Sequence, residues 1–467
     1  MSGSDLEIVE VTAFPASFPV KKPVTLGIGR AVKRDAVLVR VTTRGGIVGW
    51  GEAHHGRCPG AIAKLIDTTL RQLVVGLDAS DVYGVWTRIY RMQLASHGMG
   101  TAACLAMSGI DLALWDIRGK AVGWPVYKLL GGKARDIPAY AGGISLGYQD
   151  PEQLCDEIRG LIARGYKAVK LRVGDTAAKD IWRVEAVRKS FPDLVLLADA
   201  NTAYSVDDVR TVMPALESAR IRWLEEPFAP HDHRSYADAA KLGRVPLAAG
   251  ENHYTRYEFA RVIEDGSITI LQPDLSKTGG ITEAMRIAAM ASAWKLQSNP
   301  HTLLTGINMS ASIHLLATID NGGYFEADVA AENPFRDEMC SPACTVDDVR
   351  GVMPALEANR VRWLEEPFAP HDHRSYADAA RLGRVPLAAG ENHYTRFEFN
   401  RVIEDGSITI LQPDLSKTGG ITARTSATVY AVFASASRIN SGNALRTAST
   451  RRISLATVSP TRSFTAL

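Results

Sequence analysis

Short apolar runs alternate with amphipathic segments between residues 137 and 326. The segments between most runs place apolar residues at helical spacing, as in 151–164 and 207–217. The apolar runs predict eight strands, at 139–142, 168–173, 194–199, 221–225, 246–249, 268–271, 296–299 and 324–326. Eight strands that alternate with helices predict an α/β fold with a closed parallel barrel, whose chemistry lies in the loops that follow the strands.

A different pattern precedes the barrel. Two apolar runs, 36–41 and 47–51, flank a pair of glycines, which is typical of a β-hairpin. Helical patterns follow at 61–75 and 102–120, and the glycines of the segment 129–133 are a helix stop signal. These features predict a small α+β domain over residues 1–133, followed by a barrel domain over 134–340.

The chain repeats one stretch of 77 residues, so that 346–422 is a near copy of 206–282. Both copies carry the motifs LEEP, GEN and QPD, but strands like 194–199 and 296–299 accompany only the first copy. The copies differ at seven positions, which are Thr211/Gly351, Ser218/Ala358, Ala219/Asn359, Ile221/Val361, Lys241/Arg381, Tyr257/Phe397 and Ala260/Asn400.

Three interpretations of the second copy, a duplicated partial barrel segment, remain open. It is an added half-barrel that mediates association, a segment that exchanges with the first copy, or a recombination or gene-model join followed by out-of-frame sequence. We favour the join, because the repeat starts inside a predicted helix and residues 423–467 contain six arginines but no lysine or acid. We expect no catalytic residue from 346–467, and we expect the tail 423–467 to be poorly ordered.

The composition excludes several classes of function. The formal net charge is only +2 and the arginines of the tail are dispersed, so nothing indicates nucleic-acid binding. No apolar run approaches the roughly 20 residues of a membrane span, and the first residues lack the pattern of a signal peptide. Five scattered cysteines do not predict a disulfide framework. We therefore expect a cytoplasmic protein with a small-molecule substrate, no nucleic acid and no membrane partner.

Carboxylates end three successive predicted strands of the barrel. Asp199, Glu225 and Glu251 follow each other at intervals of 26 residues. Adjacent parallel strands lie about 4.8 Å apart, so the three side chains are expected to share one small volume. Their mutual repulsion would raise their pKa values, and a hard divalent cation removes that cost. The pattern predicts a Mg²⁺ site, although a single carboxylate at a strand end is more often a helix cap or a surface charge.

Asp274 and His301 follow the sixth and seventh predicted strands. A carboxylate bonded to one imidazole nitrogen fixes the tautomer and makes the other nitrogen a better base. A lone histidine is more often structural, but a histidine beside a metal cluster and an aspartate on the adjacent strand indicate a catalytic pair. Lys170, on the opposite side of the barrel, is expected either to bind a substrate carboxylate or to pair with the buried acids.

Polar motifs follow the predicted strands in a fixed order. They are KxR at 170–172, DAN at 199–201, EEP at 225–227, GEN at 250–252, QPD at 272–274, KTGG at 277–280, NPHT at 299–302 and FE at 325–326. Taken in order, these motifs resemble those of the enolase superfamily. Because a histidine follows the seventh strand, the mandelate racemase subgroup of the mandelate racemase/muconate lactonizing enzyme family fits best. The resemblance covers residues 1–340 and implies a modified (β/α)7β TIM barrel with an N-terminal α+β capping domain.

The resemblance implies that Asp199, Glu225 and Glu251 bind Mg²⁺, and homo-oligomers are common in the family. It also implies abstraction of the proton α to a carboxylate, which gives an enediolate. The enediolate carries a second negative charge, which a metal stabilises where it develops, and a Lys or His base with Mg²⁺ is the general pattern of this superfamily. The implied catalytic residues are Lys170, Arg172, Asp274, His301 and Glu326, and the implied substrate contacts include Asn201 and Lys277.

One residue departs from the racemase pattern. There, the second residue of the KxK pair is a lysine that acts as a base, whereas here the position holds Arg172. A guanidinium stays protonated and is a poor general base. A mechanism with one base fits better, in which His301 removes the α-proton and then protonates a departing β-hydroxyl. We therefore expect a Mg²⁺-dependent lyase that dehydrates a sugar acid or a related hydroxy acid.

Two alternatives remain open. The same enediolate serves a racemase, an epimerase or a cycloisomerase, and a barrel that is inactive or misassembled would act only as a binding protein. In this family the loops of the capping domain largely select the substrate. His54, His55 and Arg57 are therefore candidate contacts to a polyol or a distal carboxylate, although solvated loop residues are an equally good interpretation.

Overall fold

The computed structural model describes residues 3–97 and 100–337 and, beyond them, 350, 353–354, 356–357, 361–368, 372–389, 399, 402 and 404–412. The chain divides into two compact units, Met1–Ser341 and Pro342–Leu467. Across the described residues, every helix is too short or too polar to traverse a lipid bilayer. The predicted tail 423–467 lies outside the described residues.

An antiparallel sheet opens the first unit and forms the capping domain together with the helices that follow it. Its strands β1 (Ile8–Leu26), β2 (Gly29–Thr43) and β3 (Val48–Ala53) lie in the order β1-β2-β3. The predicted hairpin is confirmed, since Val41 pairs with Gly49 and Leu38 with Glu52. A side chain at Gly51 would collide with the backbone at Gly109, so glycine is what lets the longest cap helix approach β3 closely.

The first unit contains helices of widely different length. Single π-helical stretches, Ile66–Leu70 and Tyr90–Leu94, interrupt two of the cap helices, and a 3₁₀ turn spans Gly3–Leu6. The α-helices are α1 (Pro59–Leu65), α2 (Arg71–Val74), α3 (Val82–Ile89), α4 (Ala95–His97), α5 (Thr101–Val122), α6 (Val126–Leu129), α7 (Pro151–Ala163), α8 (Ala177–Ser190), α9 (Val206–Ser218), α10 (His233–Ala239), α11 (Thr255–Asp265), α12 (Gly280–Ala293), α13 (Gly306–Leu316) and α14 (Pro334–Asp337).

A parallel sheet of eight strands forms the barrel, in the order β10-β9-β8-β7-β6-β5-β4-β11. A parallel bridge between Ser298 and Gly322 connects its two ends. All eight predicted strands are confirmed, with small shifts at their ends. They are β4 (Ala139–Gly142), β5 (Ala168–Arg172), β6 (Val195–Asp199), β7 (Ile221–Glu225), β8 (Leu247–Ala249), β9 (Ile270–Leu271), β10 (Gln297–Ser298) and β11 (Phe325–Asp328).

Alternation along the strands decides which side chains enter the barrel. Leu197 on β6 and Trp223 on β7 belong to the inner core cluster, whereas Leu196 and Leu224 pack in the cluster between the strands and the helices. Successive strand residues point to opposite faces. The last residues of β6 and β7, two positions beyond the inner residues, therefore point inward, and both are carboxylates.

The second unit holds a smaller parallel sheet of β12 (Leu364–Glu365), β13 (Leu387–Ala389) and β14 (Ile410–Leu411), with α15 (His373–Ala379) between the first two strands. Its own core contains Met353, Phe368, Tyr376 and Leu387, among others. Trp363 is 39% exposed, whereas its counterpart in the first copy, Trp223, is 0% exposed. The second copy therefore keeps local structure but does not bury the face that fills the barrel in the first copy.

Candidate active site

Lys170 lies at the centre of the acids at the carboxyl ends of the strands. Asp199 and Glu225 are in register on adjacent strands, and both are buried. The Nζ atom of Lys170 lies 2.7 Å from Glu225 Oε1, 3.3 Å from Asp199 Oδ2 and 2.9 Å from Glu326 Oε1. Burial by itself lowers the pKa of Lys170, but Glu225 and Glu326 outweigh it and hold the pKa well above its ordinary value. One charged amino group therefore neutralises part of a four-residue cluster.

Arg172 reaches the same acids from the end of β5. Its Nη1 atom forms an ion pair with Asp199 and lies 3.1 Å from Asn201 Oδ1, while Nη2 donates to the Gly143 carbonyl at 2.5 Å. Burial lowers the pKa of Arg172, but Asp199 more than compensates, so that the pKa is raised. Arg172 therefore stays cationic, as the sequence indicates, and bonds to three different groups at once.

The Asp274–His301 pair forms as predicted from their adjacent strands. His301 Nδ1 lies 2.7 Å from Asp274 Oδ2. The other carboxylate oxygen of Asp274 accepts hydrogen bonds from the Ser276 backbone at 2.7 Å, the Ser276 hydroxyl at 2.6 Å and the Asn308 side chain at 3.0 Å. These hydrogen bonds occupy Oδ1 and fix the orientation of the carboxylate. Oδ2 is therefore available to the imidazole and fixes the orientation of its ring.

Glu251 contacts both His301 and Lys277. Its Oε2 lies 2.8 Å from His301 Nε2, and its Oε1 lies 3.7 Å from Lys277 Nζ. Burial opposes ionisation of Glu251, but His301 and Lys277 lower its pKa well below the ordinary value. Burial likewise lowers the pKa of His301, and the carboxylates of Glu251 and Glu326 reverse this and raise it well above the ordinary value. The imidazole therefore lies between the carboxylates of Asp274 and Glu251, which contact its two nitrogens.

The carboxylate oxygens suit Mg²⁺, but basic side chains of the protein contact all three carboxylates. Within the described residues, no three Asp, Glu, His or Cys side chains form a ready-made metal site. Lysine, arginine and imidazole groups contact Asp199, Glu225 and Glu251. All three supply oxygen, the donor that Mg²⁺ prefers. Burial raises the pKa of Glu225 to about 7, against the opposing effect of Lys170. A buried carboxyl with a raised pKa accords with a site that a divalent cation would stabilise.

The cap loop brings two of its three predicted contacts towards the site. The His54 backbone donates to the Ser276 carbonyl at 3.0 Å, and the His54 and His55 rings stack 4.1 Å apart. Burial, assisted by the charge of Lys277, lowers the pKa of His54 well below its ordinary value, so the ring is neutral. Arg57 instead is exposed and donates to the Ile28 carbonyl at 3.3 Å, so the structure does not bring it into the acid cluster.

Sequence reasoning missed several side chains of this site. Glu226, the second acid of the EEP motif, is buried, accepts a hydrogen bond from Asn252 at 2.9 Å and has its pKa raised well above the ordinary value, chiefly by burial. Gln272 Nε2 donates to Glu225 Oε2 at 2.7 Å, and the Trp223 indole donates to the same oxygen at 3.3 Å. Glu226 and Gln272 belong to motifs visible in the sequence, but only the folded structure shows that both are buried beside the other site residues.

A cavity of about 830 Å³ lies on the side of the barrel where β4 and β11 end. Segments 20–25, 144–149 and 329–332 supply most of its lining, and none of the predicted site residues lines it. The Leu146 carbonyl of its lining accepts a hydrogen bond from the Arg172 backbone at 3.2 Å, so the cavity adjoins the acid cluster.

Two family descriptions match the chain. Residues 8–131 match the mandelate racemase/muconate lactonizing enzyme N-terminal domain. Residues 153–350 match the enolase C-terminal domain-like family, and residues 340–458 match it a second time. The double match follows the internal repeat.

Curated relatives include dehydratases and cycloisomerases. The chain is 32% identical over 323 residues to the arabinonate dehydratase of Saccharolobus solfataricus, which covers 68% of this chain and 86% of that protein. It is 34% identical over 294 residues to the D-galactonate dehydratase of Ralstonia pickettii, with 60% and 74% covered. It is 32% identical over 304 residues to the 3,6-anhydro-alpha-L-galactonate cycloisomerase of Streptomyces coelicolor, with 64% and 82% covered.

Solved structures of enolase superfamily members are also similar to this chain. An enolase superfamily member from Polaromonas sp. JS666 is 55% identical, with a TM-score of 0.70 over 71% of this chain and 88% of that one. A racemase from Streptomyces coelicolor with bound magnesium is 30% identical, with a TM-score of 0.64 over 68% and 89%. The chain therefore belongs to the mandelate racemase/muconate lactonizing enzyme family of the enolase superfamily, and it is an enzyme of that lyase and racemase type.

Proposed function

We propose that this enzyme dehydrates a sugar acid by Mg²⁺-dependent removal of the proton α to the carboxylate. The observation that carries the proposal is the His301 imidazole, which is held at Nδ1 by Asp274 and directs Nε2 towards the acid cluster. The arabinonate and galactonate dehydratases among the relatives support the same substrate class.

Asp199, Glu225 and Glu251 are proposed to hold the metal. They are the carboxylates that end or follow three adjacent strands, and Lys170 now lies among two of them. When bound, Mg²⁺ supplies positive charge where negative charge develops on the substrate carboxylate. The bound magnesium of the Streptomyces racemase supports this assignment.

His301 is proposed to act twice. As a base, Nε2 takes the α-proton of the substrate, and the electron pair of that C–H bond forms the enediolate. The same nitrogen then returns the proton to the β-hydroxyl, whose C–O bond breaks, and water leaves. The resulting enol tautomerises to a 2-keto acid. One residue suffices as base and acid, which accords with an arginine at position 172 that remains protonated.

The remaining predicted residues are proposed to bind and orient the substrate. Lys170 and Arg172 provide fixed positive charge beside the acids, and Glu326 holds Lys170 at 2.9 Å. Lys277 lies 3.3 Å from Asn252 Oδ1 and is held cationic by Glu251, since that carboxylate outweighs the effect of burial on its pKa. Asn201, His54, His55 and Arg57 are proposed substrate contacts, of which Arg57 requires the loop to move.

A cycloisomerase is the second candidate, because two relatives carry that activity in their names. It would use the same proton abstraction but would break an internal C–O bond, so no water would leave.

The division of the chain is also a proposal. We propose a capping domain over 1–133, a catalytic barrel over 134–340, and no catalytic role for 346–422 or 423–467. Glu391 and Asp414 of the second copy lie outside the described residues. We further propose a homo-oligomer in the cytoplasm, where the free thiols of Cys58, Cys104 and Cys155 would remain reduced.

The test is a screen of the purified full-length chain with Mg²⁺ against aldonic and aldaric acids and their lactones. A 2-keto acid, detected as its semicarbazone, is expected from at least one hydroxy acid, and chelation by EDTA should abolish its formation. A product isomeric with the substrate would support cycloisomerisation or epimerisation instead. If neither product formed and the substrate α-proton failed to exchange in D₂O, the proposed function would be rejected.

A further inference from the structure

A carboxylate of the capping domain is buried at the start of a barrel helix. Glu52, on β3, is 0% exposed. Its Oε2 atom accepts a hydrogen bond from the Thr305 hydroxyl and another from the Asn308 backbone at 3.2 Å. Thr305 is the N-cap residue of α13, and its hydroxyl accepts from Ile307 N at 3.0 Å. Glu52 thus satisfies donors at the N-terminus of a helix from another domain.

The same helix turn reaches the catalytic pair. The Asn308 side chain donates to Asp274 Oδ1 at 3.0 Å, while Asp274 Oδ2 lies 2.7 Å from His301 Nδ1. A continuous path of hydrogen bonds therefore runs from Glu52 through Asn308 and Asp274 to the imidazole. The backbone of Asn308 donates to Glu52 of the capping domain, and its side chain donates to Asp274 of the barrel.

We propose that Glu52 is a positioning residue, which holds Asn308 so that Asp274 presents one fixed oxygen to His301. The inference rests on the proposed role of the Asp274–His301 pair. Without the acceptor at Glu52, the first turn of α13 is free to shift, and Asp274 Oδ1 loses one of its donors. The two Ser276 donors alone then hold the carboxylate, so its rotation about the terminal bond is less restricted and the imidazole is oriented less firmly.

The state of Glu52 determines which substitution is conservative. Burial, together with the charge of Asp274, raises the pKa of Glu52 to about 8, so that this carboxyl carries a proton near neutral pH. A glutamine matches the uncharged form in size and accepts both hydrogen bonds with its amide oxygen. The Oε1 atom of Glu52 is buried without a hydrogen-bond partner, and such an atom costs stability unless another advantage offsets it.

The test compares E52A, E52Q and N308A with a matched control, S312A. Ser312 lies one turn further along α13, is 0% exposed and has no hydrogen-bond partner for its hydroxyl, so its loss removes a buried polar group without affecting Asp274. E52A and N308A should lower kcat by about ten- to a hundredfold, as does loss of a group that orients an active-site ligand, and KM should change little. E52Q and S312A should retain kcat. Because both act through Asp274, the double variant E52A/N308A should lose less than the product of the single effects.

A second readout needs no substrate. The Nδ1 proton shared by His301 and Asp274 should give a low-field ¹H resonance, assigned by its absence in H301N. It should persist in E52Q and S312A and should broaden or shift in E52A and N308A, with circular dichroism unchanged. If no acid were turned over, the proposed function would fail while this resonance still tested the positioning role.

An unaltered resonance and an unaltered kcat in E52A would overturn the inference, and so would a loss in E52Q as large as that in E52A. If E52A did not fold, N308A alone would decide, since an unchanged resonance in N308A removes the link to His301.

Discussion

The Nε2 atom of His301 lies 2.8 Å from Oε2 of Glu251. The nitrogen proposed to take the substrate proton thus contacts a carboxylate proposed to bind the metal. A cation that binds Glu251 would withdraw that oxygen from the imidazole, so metal binding and exposure of the base are linked.

The internal repeat offers a matched pair of metal-ligand variants. E225Q is expected to weaken Mg²⁺ binding at least tenfold, equivalent to about 1.4 kcal/mol, because it removes a buried anionic oxygen. E365Q changes the equivalent LEEP residue, which is exposed, and should leave affinity and turnover unchanged. Titration calorimetry measures both. Equal loss in the two variants would contradict the assignment of the site to the first copy.

H301N should reduce exchange of the substrate α-proton with D₂O by about 10²- to 10⁴-fold, the usual contribution of a general base. The amide keeps a polar group in place but cannot accept the proton. ¹H NMR of the substrate follows the exchange. H97N is the control, because His97 is exposed and lies beside Ser96 rather than the acids. Exchange that persisted in H301N would require another base.

R172K should lower turnover about tenfold or more while the product stays the same. Arg172 bonds Asp199 and Asn201 through one nitrogen and the Gly143 carbonyl through another, and a single ammonium group cannot match that fork. Steady-state assays measure the turnover, and chiral analysis of substrate recovered from D₂O detects any epimer. Appearance of the epimer in R172K would show that a lysine at this position can act as a second base.

Asp111 should make the protein less stable as the pH rises from about 4 to about 7. This residue of α5 accepts a hydrogen bond from Thr282 N at 3.0 Å, and burial raises its pKa to about 7 from a value of 3.8. The folded state therefore binds a proton that the unfolded state releases, so the stabilisation is complete below about pH 4 and is lost by about pH 7, at most about 4 kcal/mol. Glu283 and Arg286 also act on Asp111.

Urea denaturation of the wild type and D111N between pH 4 and 8 tests this expectation. The asparagine cannot titrate, so the free energy of unfolding of D111N should fall less steeply with pH. Parallel pH profiles would contradict the assignment.

The barrel was predictable because each strand is a short apolar run between helical patterns. The approach of Asp199 and Glu225 was predictable because these carboxylates end two adjacent runs of that kind. The strand β1 was not predicted. Pro15, Pro19 and Pro23 interrupt its sequence, and proline normally argues against a strand. It lies at the edge of the sheet order β1-β2-β3, where proline is tolerated because one side of the strand needs no ladder hydrogen bonds.

Contacts between distant side chains were less predictable. The link between Glu52 and Asn308 joins residues 256 positions apart, and no local pattern indicates it. The cluster that Lys170 forms with Asp199, Glu225 and Glu326 depends on strand register and on the alternation of inward residues. Packing sets both. Arg57 was predicted from its loop alone, and its backbone contact at Ile28 shows why a loop does not determine where a long side chain points.

The two copies of the repeated segment share local structure, but the pKa of the equivalent glutamate shifts in opposite directions. Helices α10 and α15 have the same seven residues, the same aspartate cap and a buried tyrosine that donates to an equivalent phenylalanine carbonyl. Yet burial raises the pKa of Glu225 to about 7, whereas hydrogen bonds from Gln412 and Trp363 lower the pKa of Glu365. The same local sequence therefore forms the same helix and cap in both places, whereas the titration of its glutamate depends on how deeply the surrounding chain buries it.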